Sequence, residues 1–190
     1  QREILLMALS AYSVEKLRNV AGGLAKGQRY AVTFTKIPAG LPSATVGKLP
    51  YLCESVSIPT KSLAGVPHDI YGPPREMAYR ETFTEAVLSF IVDDAFTVRK
   101  FFDEWQTKII NPTTNNSNYY DDYVGTIDIK RLGNEATDLT SDPAYHVELI
   151  EAYPSLVGEI LVGHAQGNEI LRLSVSFKYR RWNAITSRSF

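Results

Sequence analysis

The sequence predicts an antiparallel, β-rich α+β domain, and three observations carry that prediction. Residues 171–180 alternate strictly, with Leu171, Leu173, Val175, Phe177 and Tyr179 on one face and Arg172, Ser174, Ser176, Lys178 and Arg180 on the other. This is the two-residue period of a strand with one dry side and one wet side. Further β-branched and aromatic runs come in blocks, before and after one helical segment, and not in regular alternation with helices, which disfavours a parallel βαβ sheet. The helical segment itself, centred on Trp105, carries an aromatic stripe suited to covering a sheet face.

The chain is read as one domain spanning residues 1–190, opened by an N-terminal helical segment at residues 1–28. There Ile4, Leu5, Ala8, Leu9, Tyr12, Leu17, Val20 and Ala21 recur at near-helical spacing, predicting one broken helix or two short ones that stop at Gly22-Gly23. Residues 29–37 and 51–58 read as the first two strands, separated by a connection containing proline, glycine and serine. Residues 59–80 hold four prolines and two glycines and are expected to form a long extended loop or arm without regular structure. A third strand is expected at residues 82–92.

Asp93 or Asp94 then caps a helix, because a carboxylate accepts the orphan N–H groups of a first turn. Val98, Phe101, Phe102, Trp105 and Ile109 form its packing stripe, and Pro112 ends it. Residues 111–122 and 133–143 read as loops, 123–132 and 145–153 as strands. Residues 158–182 are expected to form a hairpin turning at Gly167-Asn168, since both residue types tolerate positive φ. Its second strand would project roughly 30 Å at ~3.3 Å per residue. The tail after Trp182 has no pattern of its own.

Composition narrows the function. With 190 residues, 44% hydrophobic and 22% charged, the chain is long enough to bury a substantial core. Twenty basic residues against 21 acidic ones disfavour tight binding to phosphate, so the cluster Arg172, Lys178, Arg180, Arg181 and Arg188 reads first as a solvated face. No apolar run approaches the ~20 residues of a membrane-spanning helix, and the short run at residues 4–9 does not read as a secretory signal. One cysteine, Cys53, permits no intramolecular disulfide and no cysteine-based zinc cluster; it is expected to be a small buried hydrophobe.

Signatures of hydrolases, kinases and nucleotide-binding proteins are missing. His68, His146 and His164 stand in separate elements without metal-ligand spacing. Tyr119-Tyr120-Asp121-Asp122 has the look of a magnesium-binding polymerase element, yet the chain is too small for a polymerase, and such Asp pairs serve turns and caps. No catalytic residue, cofactor or metal is expected.

Long strands in an open sheet leave unpaired backbone at the edges, and closure with sister copies is one way to satisfy it. Three stretches point the same way: LCESVSIPTKSL at residues 52–63, FTEAVLSFIVDDAFTVRKFFDEWQTKI at 83–109 and VELIEAYPSLVGEILVGHAQGNEILRLSVSFKYRRW at 147–182. In order and spacing they resemble the tail-tube family of contractile-tailed bacteriophages, including the related baseplate tube-initiator proteins. The resemblance implies a non-enzymatic virion protein, assembled in the host cytoplasm into stacked six-fold rings. Each subunit would donate strands to a β-barrel whose lumen conducts DNA during ejection. Its implied partners are further copies of itself, neighbouring tube or baseplate proteins, the sheath protein and DNA in transit, with no membrane.

On this reading Val147, Leu149, Leu171, Leu173, Val175, Phe177 and Tyr179 lie on barrel strands, and the arm and the N-terminal helix make stacking contacts. The residues before Ser13 and the loops at 111–122 and 133–143 exceed the family's simplest subunits, so repeating tube subunit and specialised end ring both stay open. A monomeric β-barrel or sandwich module that binds a small ligand or a host receptor is the alternative.

Overall fold

The computed structural model describes residues 26–68, 72–133, 143–163 and 169–185. The expected N-terminal helix and the Gly167-Asn168 turn lie outside them. The chain divides into two compact units, one of Gln1–Ala31, Lys130–His146 and Thr186–Phe190, the other of Val32–Ile129 and Val147–Ile185. In the first, Leu132 N–H donates to the Arg29 carbonyl at 3.0 Å and Arg29 Nη1 to the Gly133 carbonyl at 3.3 Å. The second unit holds the surfaces that bear on function.

In chain order the elements are β1 (Tyr30–Lys36), the one-turn helices α1 (Ser43–Val46) and α2 (Leu49–Leu52), β2 (Cys53–Val56), β3 (Lys61–His68), β4 (Arg75–Phe83) and β5 (Ala86–Ile91). Then follow α3 (Thr97–Ile109), α4 (Tyr120–Tyr123), β6 (Gly125–Leu132), β7 (Pro143–Val157), β8 (Arg172–Lys178) and β9 (Arg181–Ile185). Seven strands form one sheet in the order β1-β6-β7-β8-β5-β2, with β9 also paired to β7, and β3-β4 form a separate two-stranded sheet. The β2-β5, β3-β4, β5-β8 and β7-β8 pairs are antiparallel, as the grouping of strands in sequence predicted.

Four expectations need correction. Residues 59–80 are no irregular loop: β3 and β4 pair from Lys61↔Phe83 to His68↔Arg75 as a regular hairpin with one register shift at Ala64/Gly65. Pro67 stands within β3 because a two-stranded ribbon leaves half its backbone donors facing outward, where a missing N–H removes no ladder bond. The second strand is shorter than 51–58, since the helical turn Leu49–Leu52, with Pro50 near its start, absorbs Tyr51 and Leu52. The expected hairpin strands are shorter than residues 158–182, because residues 158–163 and 169–171 are not strand and β8 pairs with the far end of β7, Val157↔Val175. Finally, the tail holds β9, a second segment along β7.

One face of the sheet is dry. Ala86, Leu88 and Phe90 of β5 and Leu173, Val175 and Phe177 of β8 are fully buried beneath α3. Ring centroids of Phe90 and Phe102 stand 5.3 Å apart, Phe102 and Phe177 5.8 Å, and Phe34 and Phe177 6.2 Å. Each ring contributes about 1.5–3 kcal/mol by leaving water.

Candidate functional site

The helix is held in three ways. Its stripe residues Val98, Phe101, Phe102 and Trp105 are buried, while Ile109 at its last turn is half-buried. Asp93 caps its start: Thr97 N–H donates to Asp93 Oδ1 at 2.8 Å and Thr97 Oγ1 to Oδ2. These bonds, the hydroxyl's first, hold the Asp93 carboxyl below the usual carboxylate range. Trp105 Nε1 donates to the Tyr123 carbonyl at 2.8 Å, and Arg99 Nη1 reaches the Gly158 carbonyl at the end of β7 at 2.5 Å.

Of the residues assigned to barrel strands, Val147 and Leu149 are buried on β7, and Leu173, Val175 and Phe177 on β8. Leu171, just before β8, and Tyr179, just after it, are half-buried. Tyr179 Oη donates to the Thr84 carbonyl at 2.5 Å. Burial along β7 passes from odd to even positions, Val147 and Leu149 giving way to Ala152 and Pro154. The switch falls at Glu151, whose φ of 57° inserts one residue into the alternation, as a β-bulge does. Arg180 Nη1 donates to Glu151 Oε1 at 2.9 Å, and this partner first among several holds the Glu151 carboxyl below its ordinary range.

Strands β7 and β8 are interior to the sheet. Its path ends at β1 and β2, which each have a backbone edge to offer, as does β9 off the path. Sequence alternation picked out the most amphipathic strands, which are not the terminal ones.

The second exposed feature is the arm. Strands β3 and β4 continue the β2-β5 ladder past a joint where the Thr60 and Thr84 hydroxyls stand 2.9 Å apart and Ser57 N–H bonds the Val87 carbonyl at 3.0 Å. The eight residues of β3 reach about 27 Å at ~3.4 Å each. From Lys61 to Thr82, among the described residues, all but Ala64 and Gly65 are exposed. Leu63, Val66, Met77 and Tyr79 all face solvent, Tyr79 at 67% exposure. A ribbon without a core of its own is stable at best marginally, so such side chains on it point to a partner.

The third is the face of the sheet that no described helix covers. Ser55↔Ser89 and Ser89↔Ser174 form one row across β2, β5 and β8. Val87↔Ser176 and Leu156↔Ser176 form the next. Two ion pairs flank them: Arg172 Nε to Glu54 Oε2 at 2.6 Å and Lys178 Nζ to Glu85 Oε1 at 3.5 Å. The bond to Arg172 holds the Glu54 carboxyl below its ordinary range.

Nothing in these surfaces has the form of a reaction centre. Cys53 is buried, and burial pushes its thiol up to about 12. No three His, Cys, Asp or Glu side chains converge as a metal site among the described residues. Asp121 and Asp122 lie exposed in α4, His68 ends the arm's first strand, and His164 is outside the described residues. An open groove of about 430 Å3 runs between Phe83, Tyr120, Tyr153, Lys178, Tyr179 and Arg180. No described helix is long and apolar enough to cross a membrane.

Chains from several contractile injection systems have a similar fold. The anti-feeding prophage baseplate contains a chain similar to this one with a TM-score of 0.62 and 16% identity, over 88% of this chain and 99% of that one. A chain of the extended sheath-tube complex of an extracellular contractile injection system matches with a TM-score of 0.59 and 16% identity, over 92% and 98%. One from the tube-terminating cap of the anti-feeding prophage gives 0.62 and 15%, over 95% and 99%. Residues 25–185 match the family model of the phage tail tube protein, and the chain belongs to that family. No curated protein matches it in sequence. Family membership makes it a structural protein of the phage tail-tube class, and the neighbours share its fold.

Proposed function

We propose that this protein is a non-enzymatic, self-assembling subunit of a tail tube or of a ring at its baseplate or terminator end. Six copies join β1 of one subunit to β2 of the next, making a closed β-barrel around a lumen that conducts DNA during ejection. Further rings, the sheath and baseplate proteins are its partners, within a virion built in the host cytoplasm. The observation that carries this reading is the arm: a regular ribbon with Leu63, Val66, Met77 and Tyr79 exposed needs a neighbour to cover it.

Negative-stain microscopy of the purified chain tests it, with six-fold rings or tubes as the expected result. The doubly substituted Leu63→Ser, Tyr79→Ser protein is expected to stay folded and lose assembly. A wild-type protein that remains monomeric at high concentration overturns the proposal. It would favour instead a monomeric binding module, for which the groove between Tyr153 and Tyr179 is the feature to test with ligands.

A further inference from the structure

The arm sorts its charges by face, and one inserted residue does the sorting. Residues paired across a ribbon point to the same side, and the sides alternate along each strand. The register puts Arg75 (opposite His68), Met77 (opposite Val66) and Arg80 (opposite Ala64) on one face. Glu76 (opposite Pro67) and Glu81 (opposite Leu63) share the other face with Lys61. Two contacts agree with this: Lys61 Nζ meets Glu81 Oε1 at 2.6 Å, and the Glu76 side chain lies across Gly65. Without the shift at Ala64/Gly65, which leaves Tyr79 unpaired, strict alternation would set Arg75 beside Glu81 and Arg80 beside Glu76. Bulges re-aim side chains in this way. One face of the arm is thus basic and apolar, with Arg75, Arg80, Val66 and Met77 exposed and no acidic residue on it among the described residues.

An acidic and apolar surface stands at the other end of the sheet. Strand β5 begins at Ala86, beside the arm, and ends at Ile91 opposite Arg172. There an open groove of about 290 Å3 is lined by exposed Leu161 and Ile170 and by Glu159, Glu169 and Arg172. Arg172 is bound to Glu54 at 2.6 Å, so three carboxylates stand around one guanidinium. Arg99, which reaches the Gly158 carbonyl close by, is paired with Asp103 at 3.0 Å.

We infer that the basic face of the arm docks in this groove on a second copy, Arg75 and Arg80 meeting Glu159 and Glu169 while Val66 and Met77 cover Leu161 and Ile170. The inference rests on the ring reading above and deepens it by naming the two surfaces that meet. Lateral strand edges close a ring, whereas surfaces at the two ends of the strands join one ring to the next. Such a head-to-tail contact gives the stack a direction. The groove repels the arm's other face, with Glu76 and Glu81, so charge fixes which side of the ribbon docks.

Two experiments on the full chain test this. In the first, Arg75→Glu, Arg80→Glu protein and Glu159→Arg, Glu169→Arg protein are assembled separately. All four positions are exposed, so folding is expected to be unchanged. Each is expected to give single rings that do not stack, because arm and groove then carry like charge. Mixed, the two sets of rings are expected to stack, since each arm then meets a groove of opposite sign, and high salt is expected to weaken the stacks. Stacking of either variant alone, or none on mixing, overturns the inference while leaving the ring intact. Absence of rings in the wild type overturns the functional reading and this inference with it.

In the second, stacked Arg75→Lys, Arg80→Lys protein, which keeps both charges, is treated with a carbodiimide, which joins an amine to a carboxylate with loss of water. Isotope-labelled and unlabelled chains are mixed before assembly. Mass spectrometry is expected to find the substituted arm of one copy joined to Glu159 or Glu169 of another. Links from the arm to other carboxylates only, or no links, overturn the pairing.

Discussion

Gly125 seats the helix by what it lacks. A Cβ there would lie 2.5 Å from the Lys36 carbonyl oxygen on β1 and 3.2 Å from the Trp105 ring. Gly125→Ala is therefore expected to destabilise the fold by about 1–3 kcal/mol, read by chemical denaturation. Gly158 has a similar place, with the Ser174 carbonyl 2.7 Å from where its Cβ would be. At the other end of the helix, Asp93→Ala removes the cap and is expected to lower stability by about 0.5–2 kcal/mol at pH 7. Because the folded Asp93 carboxyl ionises at lower pH than it would unfolded, its contribution is full above the ordinary carboxylate range near ~3.9. It fades as pH falls through the folded value. Thermal melts from pH 7 down to pH 3 are expected to show the gap between wild type and Asp93→Ala closing at the acid end.

Among the elements, β8 and the arm behave as opposites. Val175 pairs with Leu88 on one side and Val157 on the other, so Val175→Pro is expected to abolish the cooperative unfolding transition, not merely assembly. Leu63→Ser with Tyr79→Ser, on the exposed arm, is expected to leave subunit stability within about 0.5 kcal/mol of wild type and to appear only as lost assembly. The two differ in legibility for the same reason. Strict alternation from Leu171 to Tyr179 and the stripe from Val98 to Trp105 record burial within the chain, and burial within one chain leaves a period. The arm has no dry face in the subunit, so its sequence, broken by Pro67 and the Pro73-Pro74 pair, showed no period and read as a loop. Glu151 hid the course of β7 similarly, because one inserted residue shifts the alternation of everything after it.

At the scale of the molecule, the expected outcome is a six-fold ring, checked by light scattering as six times the mass of the chain. Within one chain the sheet path ends at β1 and β2, with β7 and β8 inside it. Sequence by itself determined the class of fold, the helix with its acidic cap and the aromatic core, all set by side-chain periodicity and local spacing. Only the tertiary structure decided that residues 61–68 and 75–83 pair as a ribbon, which strands terminate the sheet path, and that Glu54 meets Arg172 and Glu85 meets Lys178. Strand order and ion pairing join residues as far apart in the chain as Glu54 and Arg172, and no local pattern of residues encodes which distant partner a backbone edge or a charge will meet.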